Sequence, residues 1–236
     1  MKLQKETKGS KKADSGHGKW YGDACGTAFA LELIGERWSL LIVRELMLGG
    51  RRFSDLRASL PGISAKVLTE RLESLEAAGV LLRRKLPPPV SAQVYELTEW
   101  GYHAEPAIQE LGRWAARSPG HDPTLPLSPV SLMLSMRTMI DREAARPLTA
   151  TIRFEVGEDR FFARLADGEL AIARAAESDP APDVTVAMPR PLPFLRVIYG
   201  KQPLDTVAAE GELKVGGDVA LARRVFAVFS LPPKCA

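Results

Sequence analysis

The run from Ile63 to Gly79, ISAKVLTERLESLEAAG, holds the side chains best suited to meeting an anion. Ser64, Lys66 and Thr69 set a hydroxyl, an ammonium and a second hydroxyl at the start of a helical segment, where free N–H groups and the helix dipole already favour negative charge. Leu68, Leu72 and Leu75 recur at helical spacing on another stripe, so one face is buried and one is offered. That chemistry suits the phosphates and base edges of duplex DNA. Arg71 follows, either as a phosphate contact or as an ion-pair partner within the protein. Two basic clusters flank the run: Arg51 and Arg52 ahead of it, Arg83 and Lys85 behind it, with Arg84 sent to the opposite face by strand alternation. For each of these residues the competing reading is a solvated polar face or salt bridges to nearby carboxylates.

The elements that must position these groups are readable in turn. Phe53 to Leu60 makes a short helix that Ser54 can cap, and Pro61-Gly62 stops it, so two helices meet across a tight turn. This is helix-turn-helix grammar. Upstream, a helix over Ala24 to Ile34 has Asp23 as its cap and Phe29, Ala30, Leu33 and Ile34 as its buried side. A second helix over Trp38 to Leu48 buries Trp38, Leu41, Ile42 and Leu46. Downstream, Val80 to Leu86 and Gln93 to Thr98 form two strands around a Pro-rich tip, and a closing helix over Glu99 to Arg117, bent at Pro106, presents Ala104, Ile108, Leu111 and Ala115 beside Trp114. The order is that of a winged helix-turn-helix.

Composition narrows the remaining classes. The 236 residues are 45% hydrophobic, enough for packed cores, and carry a net charge of +3. Residues 1–117 hold 18 Lys and Arg against 14 Asp and Glu, so a DNA-facing surface must be a local cluster. Residues 1–20 read as a flexible basic tail, because six lysines with almost no apolar content cannot repay the entropy of ordering. Cys25 and Cys235 do not form a disulfide framework, and the three histidines show no metal spacing, so no metal or cofactor is expected. Glu32 and Glu36 interrupt the first hydrophobic helix, which argues against a signal peptide or membrane span and makes a cytoplasmic protein the default.

The run CGTAFALELIGERWSLLIVRELMLGGRRFSDLRASLPGISAKVLTERLESLEAAGVLLRR, with VYELTEWG after it, closely resembles the HxlR-type winged helix-turn-helix transcriptional regulators over Tyr21 to Arg117. The resemblance implies a homodimer, built on the first and last helices, that binds a two-fold symmetric operator and most commonly represses. Some regulators of this type sense oxidants through a cysteine at the position of Cys25. A helix N-terminus there would lower the thiol pKa. The alternative role for Cys25 is that of a small residue buried at the dimer seam.

Residues 118–129, SPGHDPTLPLSP, form a linker. Beyond it, residues 130–236 read as a second domain that opens with a helix over Val130 to Ala145. Ala150, Ile152, Phe154 and Val156 then alternate with polar residues as a strand, and Asp167-Gly168 marks a hairpin that would set Leu165 opposite Leu170 and Ala163 opposite Ile172. Val184 to Met188 is a further strand, Leu213 and Val215 a short extended piece, and Asp218 caps a last helix after a Gly216-Gly217 turn. DVTVAM followed by GELKVGGD and an apolar helix resembles the sterol carrier protein type 2-like domains. The resemblance implies an α/β sandwich with an apolar pocket, making the whole chain α+β. Candidates to line that pocket are Phe154, Phe161, Leu165, Ile172, Phe194, Val197, Ile198, Phe226 and Phe229, each of which core packing would explain as well.

The expected function is a DNA-binding regulator, not an enzyme, whose partners are double-stranded DNA, a second copy of itself and a small hydrophobic ligand in the second domain, with no membrane partner. The ligand would change the distance between the paired recognition helices. A lipid carrier whose first domain only dimerises is the competing class. An enzyme acting on an apolar substrate ranks behind both, because no nucleophile, base and orienter stand at readable spacing.

Overall fold

The computed structural model describes residues 21–86 and 92–235. The expected basic tail and the Pro-rich wing tip, 87–91, lie outside the described residues. The first half runs α1 (Gly26–Ile34), α2 (Ser39–Leu46), α3 (Phe53–Ser59), α4 (Ala65–Ala77), β1 (Leu81–Lys85), β2 (Gln93–Leu97), α5 (Glu99–Tyr102) and α6 (Glu105–Ala116). Gly62, at φ +94°, makes the sharp turn from α3, and Ser64 then caps α4 by accepting from the Val67 N–H at 3.2 Å. Leu68, Leu72 and Leu75 are buried. The wing strands pair antiparallel from Leu81↔Leu97 to Lys85↔Gln93, and Arg51 bridges Tyr95 beside them.

Several local expectations are corrected. Helix α1 begins at Gly26 with Cys25 at its cap, and none of its residues is buried; Asp23 instead accepts from the Cys25 N–H. Trp38 precedes α2 in the left-handed region, at φ 81°, and Leu41 points outward. Ser54 does not cap α3; it stands inside the first turn, and Asp55 accepts from the Arg52 N–H at 3.3 Å. The closing helix is two helices, α5 and α6. Pro106 begins α6 rather than bending it, because its missing N–H would find no helical partner in the first turn.

The second half comprises α7 (Pro129–Met139), α8 (Arg142–Ala145), β3 (Ala150–Val156), β4 (Asp159–Ala166), β5 (Glu169–Arg174), β6 (Val184–Met188), α9 (Leu192–Ile198), α10 (Leu204–Ala209), β7 (Lys214–Gly217) and α11 (Val219–Ala227). The sheet order is β5-β4-β3-β6-β7, parallel between β3 and β6 and antiparallel elsewhere. Asp167 and Gly168 both have positive φ, and the turn sets Leu165↔Leu170 and Ala163↔Ile172 in register. Gly216 and Gly217 are not a free turn but the end of β7: a Cβ on Gly216 would lie 2.7 Å from the Thr185 hydroxyl, and one on Gly217 2.2 Å from the Asp183 carbonyl. Asp218 then caps α11 through the Leu221 N–H at 2.8 Å.

The two halves share one continuous apolar core, reaching from Ile42 and Leu72 through Val130 and Leu132 to Phe154 and Val225. Polar groups pin the join. Fully buried Glu45 accepts from Arg44 and from Ser128, the cap of α7, at 2.7 Å, and Arg137 of α7 pairs with Glu105 of α6 at 3.0 Å. The chain end returns to α6, where Lys234 donates to the carbonyls of Ala116 and Ser118.

Candidate nucleic-acid interface

Helix α4 meets solvent with the edge that its sequence offers. The Lys66 side chain is 86% exposed, held only loosely by Glu70 at 3.9 Å one turn on. Ser64 and Thr69 are also exposed, although each hydroxyl has a local bond: Ser64 to the Val67 N–H, and Thr69 donating to the Ala65 carbonyl at 3.0 Å. Both hydroxyls keep lone pairs for a second partner. Arg52 and Lys85 are exposed on the same half of the molecule.

Other basic residues are engaged by carboxylates of the protein itself. Arg71 is 15% exposed and pairs with Glu36 at 3.5 Å, so of its two roles the structure gives the intraprotein one. Arg51, expected at the DNA backbone, is corrected outright: its side chain is 10% exposed, donating to Ser59 and pairing with Asp159 of the second domain at 3.3 Å. A desolvated guanidinium already paired with a carboxylate is a poor phosphate ligand. Arg83 pairs with Glu76 at 2.6 Å and lies over the Tyr95 ring, which leaves it partly exposed but engaged. Arg84, on the opposite strand face, pairs with Glu96.

Cys25 is exposed at the cap of α1. The N–H groups of Ala28 and Thr27 at the helix N-terminus, and then the Thr27 side chain, favour the thiolate and hold the thiol below its ordinary pKa. The first and last helices of the domain each carry exposed apolar side chains: Leu31 at 50% on α1, Leu111 at 48% and Trp114 at 74% on α6.

The nine pocket candidates, Phe154, Phe161, Leu165, Ile172, Phe194, Val197, Ile198, Phe226 and Phe229, are all buried. Phe194 meets Phe154 at 5.7 Å between ring centroids and Phe226 edge-on at 4.9 Å, so aromatic rings occupy the space between sheet and helices. Val197 and Phe226 also border a shallow hollow of about 220 Å³ beside Lys201 and Arg223. A cleft of about 920 Å³ lies elsewhere, between the two halves. The helix-turn-helix side contributes Trp38, Arg44, Arg51, Leu60 and Pro61, and the other wall includes Leu127, Val156, Asp159, Arg174 and Arg190. Sequence reasoning missed this cleft, because its walls come from residues more than a hundred positions apart. The one local signal is Trp38, whose spacing suggests a buried helix face and whose left-handed backbone instead sets it ahead of α2.

Among the described residues no group of His, Cys, Asp and Glu could hold a metal ion, and no helix is long and apolar enough to cross a membrane.

Comparison with known proteins bears on both halves. Residues 33–122 match the HxlR-like helix-turn-helix family, and residues 133–230 match the SCP-2 sterol transfer family. The uncharacterized HTH-type transcriptional regulator YvaP of Bacillus subtilis is 40% identical over 86 residues, 36% of this chain and 80% of that protein. The HTH-type transcriptional regulator YodB of Bacillus subtilis is likewise 40% identical over 86 residues, 36% of this chain and 77% of its own length. The solved reduced form of YodB from B. subtilis, at 36% identity, covers 42% of this chain and 98% of that chain with a TM-score of 0.38.

Proposed function

The chain belongs to the HxlR-like helix-turn-helix family, which makes it a DNA-binding transcriptional regulator, and we propose that it acts as a homodimeric repressor on a two-fold symmetric operator. The observation that carries this reading is the outward edge of α4, with Lys66 86% exposed at the helix's N-terminal turn and a wing beside it. Two such edges read half-sites one helical turn apart, about 34–36 Å, when a second copy holds them at that spacing. The exposed faces of α1 and α6 supply the means: Leu31, Leu111 and Trp114 are large apolar side chains that a symmetric partner would remove from water. We read the protein as a regulator rather than an enzyme or a lipid carrier. The test is a footprint of the purified protein on the DNA upstream of its own gene, with its mass in solution measured alongside. A dimer and a salt-sensitive palindromic footprint support the reading. A monomer that ignores DNA overturns it.

The geometry of Cys25 favours a second reading for control. A solvent-exposed thiol with a lowered pKa, at the cap of a helix that lines the proposed dimer seam, is placed to let oxidation change the seam. Cys25→Ser is expected to bind DNA as the parent does and to keep that binding in the presence of diamide, whereas the parent is released. Equal release of both proteins would end this reading.

A further inference from the structure

We infer that the cleft between the two halves is the effector site, and that it takes a small organic carboxylate with an apolar body. Charge bookkeeping at its floor points there. Arg51 and Arg174 both rest on Oδ1 of Asp159, at 3.3 Å and 2.7 Å, so two cations share one carboxylate in a place where their side chains are only 10% and 32% exposed. Arg174 Nη2 is buried and makes no hydrogen bond, and a buried charged donor left without an acceptor costs stability. The other guanidiniums on the cleft are already matched: Arg44 by Glu45, and Arg190 by both carboxylate oxygens of Glu212. Asp55 and Glu158 also face the cleft, but Asp55 already accepts from the Arg52 N–H and the Ser54 hydroxyl, and Glu158 is exposed. What remains is the Arg174 guanidinium, which lies over the Phe161 ring at 5.3 Å and keeps one nitrogen without an acceptor, beside apolar walls of Trp38, Leu60, Leu127 and Val156. A carboxylate that draws the Arg174 guanidinium toward the cleft gives its buried Nη2 the missing acceptor, and a hydrocarbon or aromatic body covers the walls.

The cleft also touches the machinery that aims α4. It is bounded by α3 and by Pro61, and the Trp38 ring reaches the next residue, since a Cβ on Gly62 would lie 3.8 Å from that ring. An occupant held by Arg174 and packed on Trp38 therefore bears on the turn that sets the angle between α3 and α4. Its effect on DNA rests on the regulator reading above; its binding does not.

The test separates the two. Isothermal titration of the DNA-free full chain compares octanoate, benzoate and phenylpropionate with the corresponding neutral amides. The carboxylates are expected to bind about tenfold tighter than the amides. Arg174→Gln should erase that preference, and Arg146→Gln, the same charge loss at an exposed residue just after α8, should keep it. Leu127→Trp, which fills the cleft from beside its apolar walls and leaves Arg174 intact, should weaken every probe. Failure of all three carboxylates to bind, equal binding of the amides, or a preference that survives Arg174→Gln in a folded protein overturns the inference. Adding the binding probe should then shift DNA affinity about fivefold. Carboxylate binding with no DNA binding in either state would leave the cleft assignment standing and remove the regulator reading.

Discussion

Lys66 and Arg51 carry the same charge in sequence and opposite assignments in the fold. Lys66 sits on the open edge of α4, whereas Arg51 is drawn onto Asp159 across a separation of 108 residues. Lys66→Ala is expected to weaken DNA binding and to lower the slope of log affinity against log salt by about one, because one fewer counterion is released. Arg51→Ala should leave that slope unchanged and cost about 1 kcal/mol of stability, as a partly screened pair is lost. A slope that falls with Arg51→Ala and not with Lys66→Ala would reverse the two assignments. The difference was not legible in the sequence: flanking position made Arg51 look like a groove contact, and nothing in local spacing shows which carboxylate a guanidinium will meet. Arg71 was open to both roles for the same reason, and Glu36 decided it.

At the scale of elements, legibility follows locality. The hairpin at Asp167-Gly168 could be placed with its register because a two-residue turn and a period of two fix each other within a dozen residues. The Asp218 cap of α11 and the strand Val184 to Met188 were readable on the same grounds. Helix α10, LDTVAA, was not, since six residues hold too little of a helical period to stand out. The first helix shows the other limit. Its apolar residues look like a buried face, yet within the single chain Leu31 stays about half exposed, as does Leu111 of α6, and Trp114 beside it is 74% exposed. Periodicity marks a face that needs covering without saying whether the cover is the chain itself or a second copy. Trp114→Glu combined with Leu111→Glu is therefore expected to give a folded monomer by sedimentation, with an unchanged far-ultraviolet spectrum and a large loss of operator affinity. Retention of the parent's mass would move the seam elsewhere.

Taken whole, the molecule is not two beads on a string. One apolar core runs through both halves, and Glu45, buried in α2, accepts hydrogen bonds from Ser128 and from Arg44 at the join. A change at the cleft is thus transmitted through packed contacts, with little freedom for one half to swing on the linker. Glu45→Ala removes the acceptor shared by Arg44, Ser128 and Ser131 and is expected to lower stability by about 2 to 3 kcal/mol while keeping a single unfolding transition by calorimetry. Two separate transitions, with only one displaced, would show halves that fold apart. Phe154, Phe194 and Phe226 have the composition of a ligand cavity, but their rings fill one another's space, and the open volume lies where the halves meet.

In the proposed assembly two copies of α4 face duplex DNA together. Footprinting the full chain on its own upstream region between about 50 and 200 mM salt tests it most directly. The account predicts a palindromic protected stretch with half-sites one helical turn apart, weakening steeply as salt rises. Uniform cleavage at every protein concentration, or protection indifferent to salt, would contradict it.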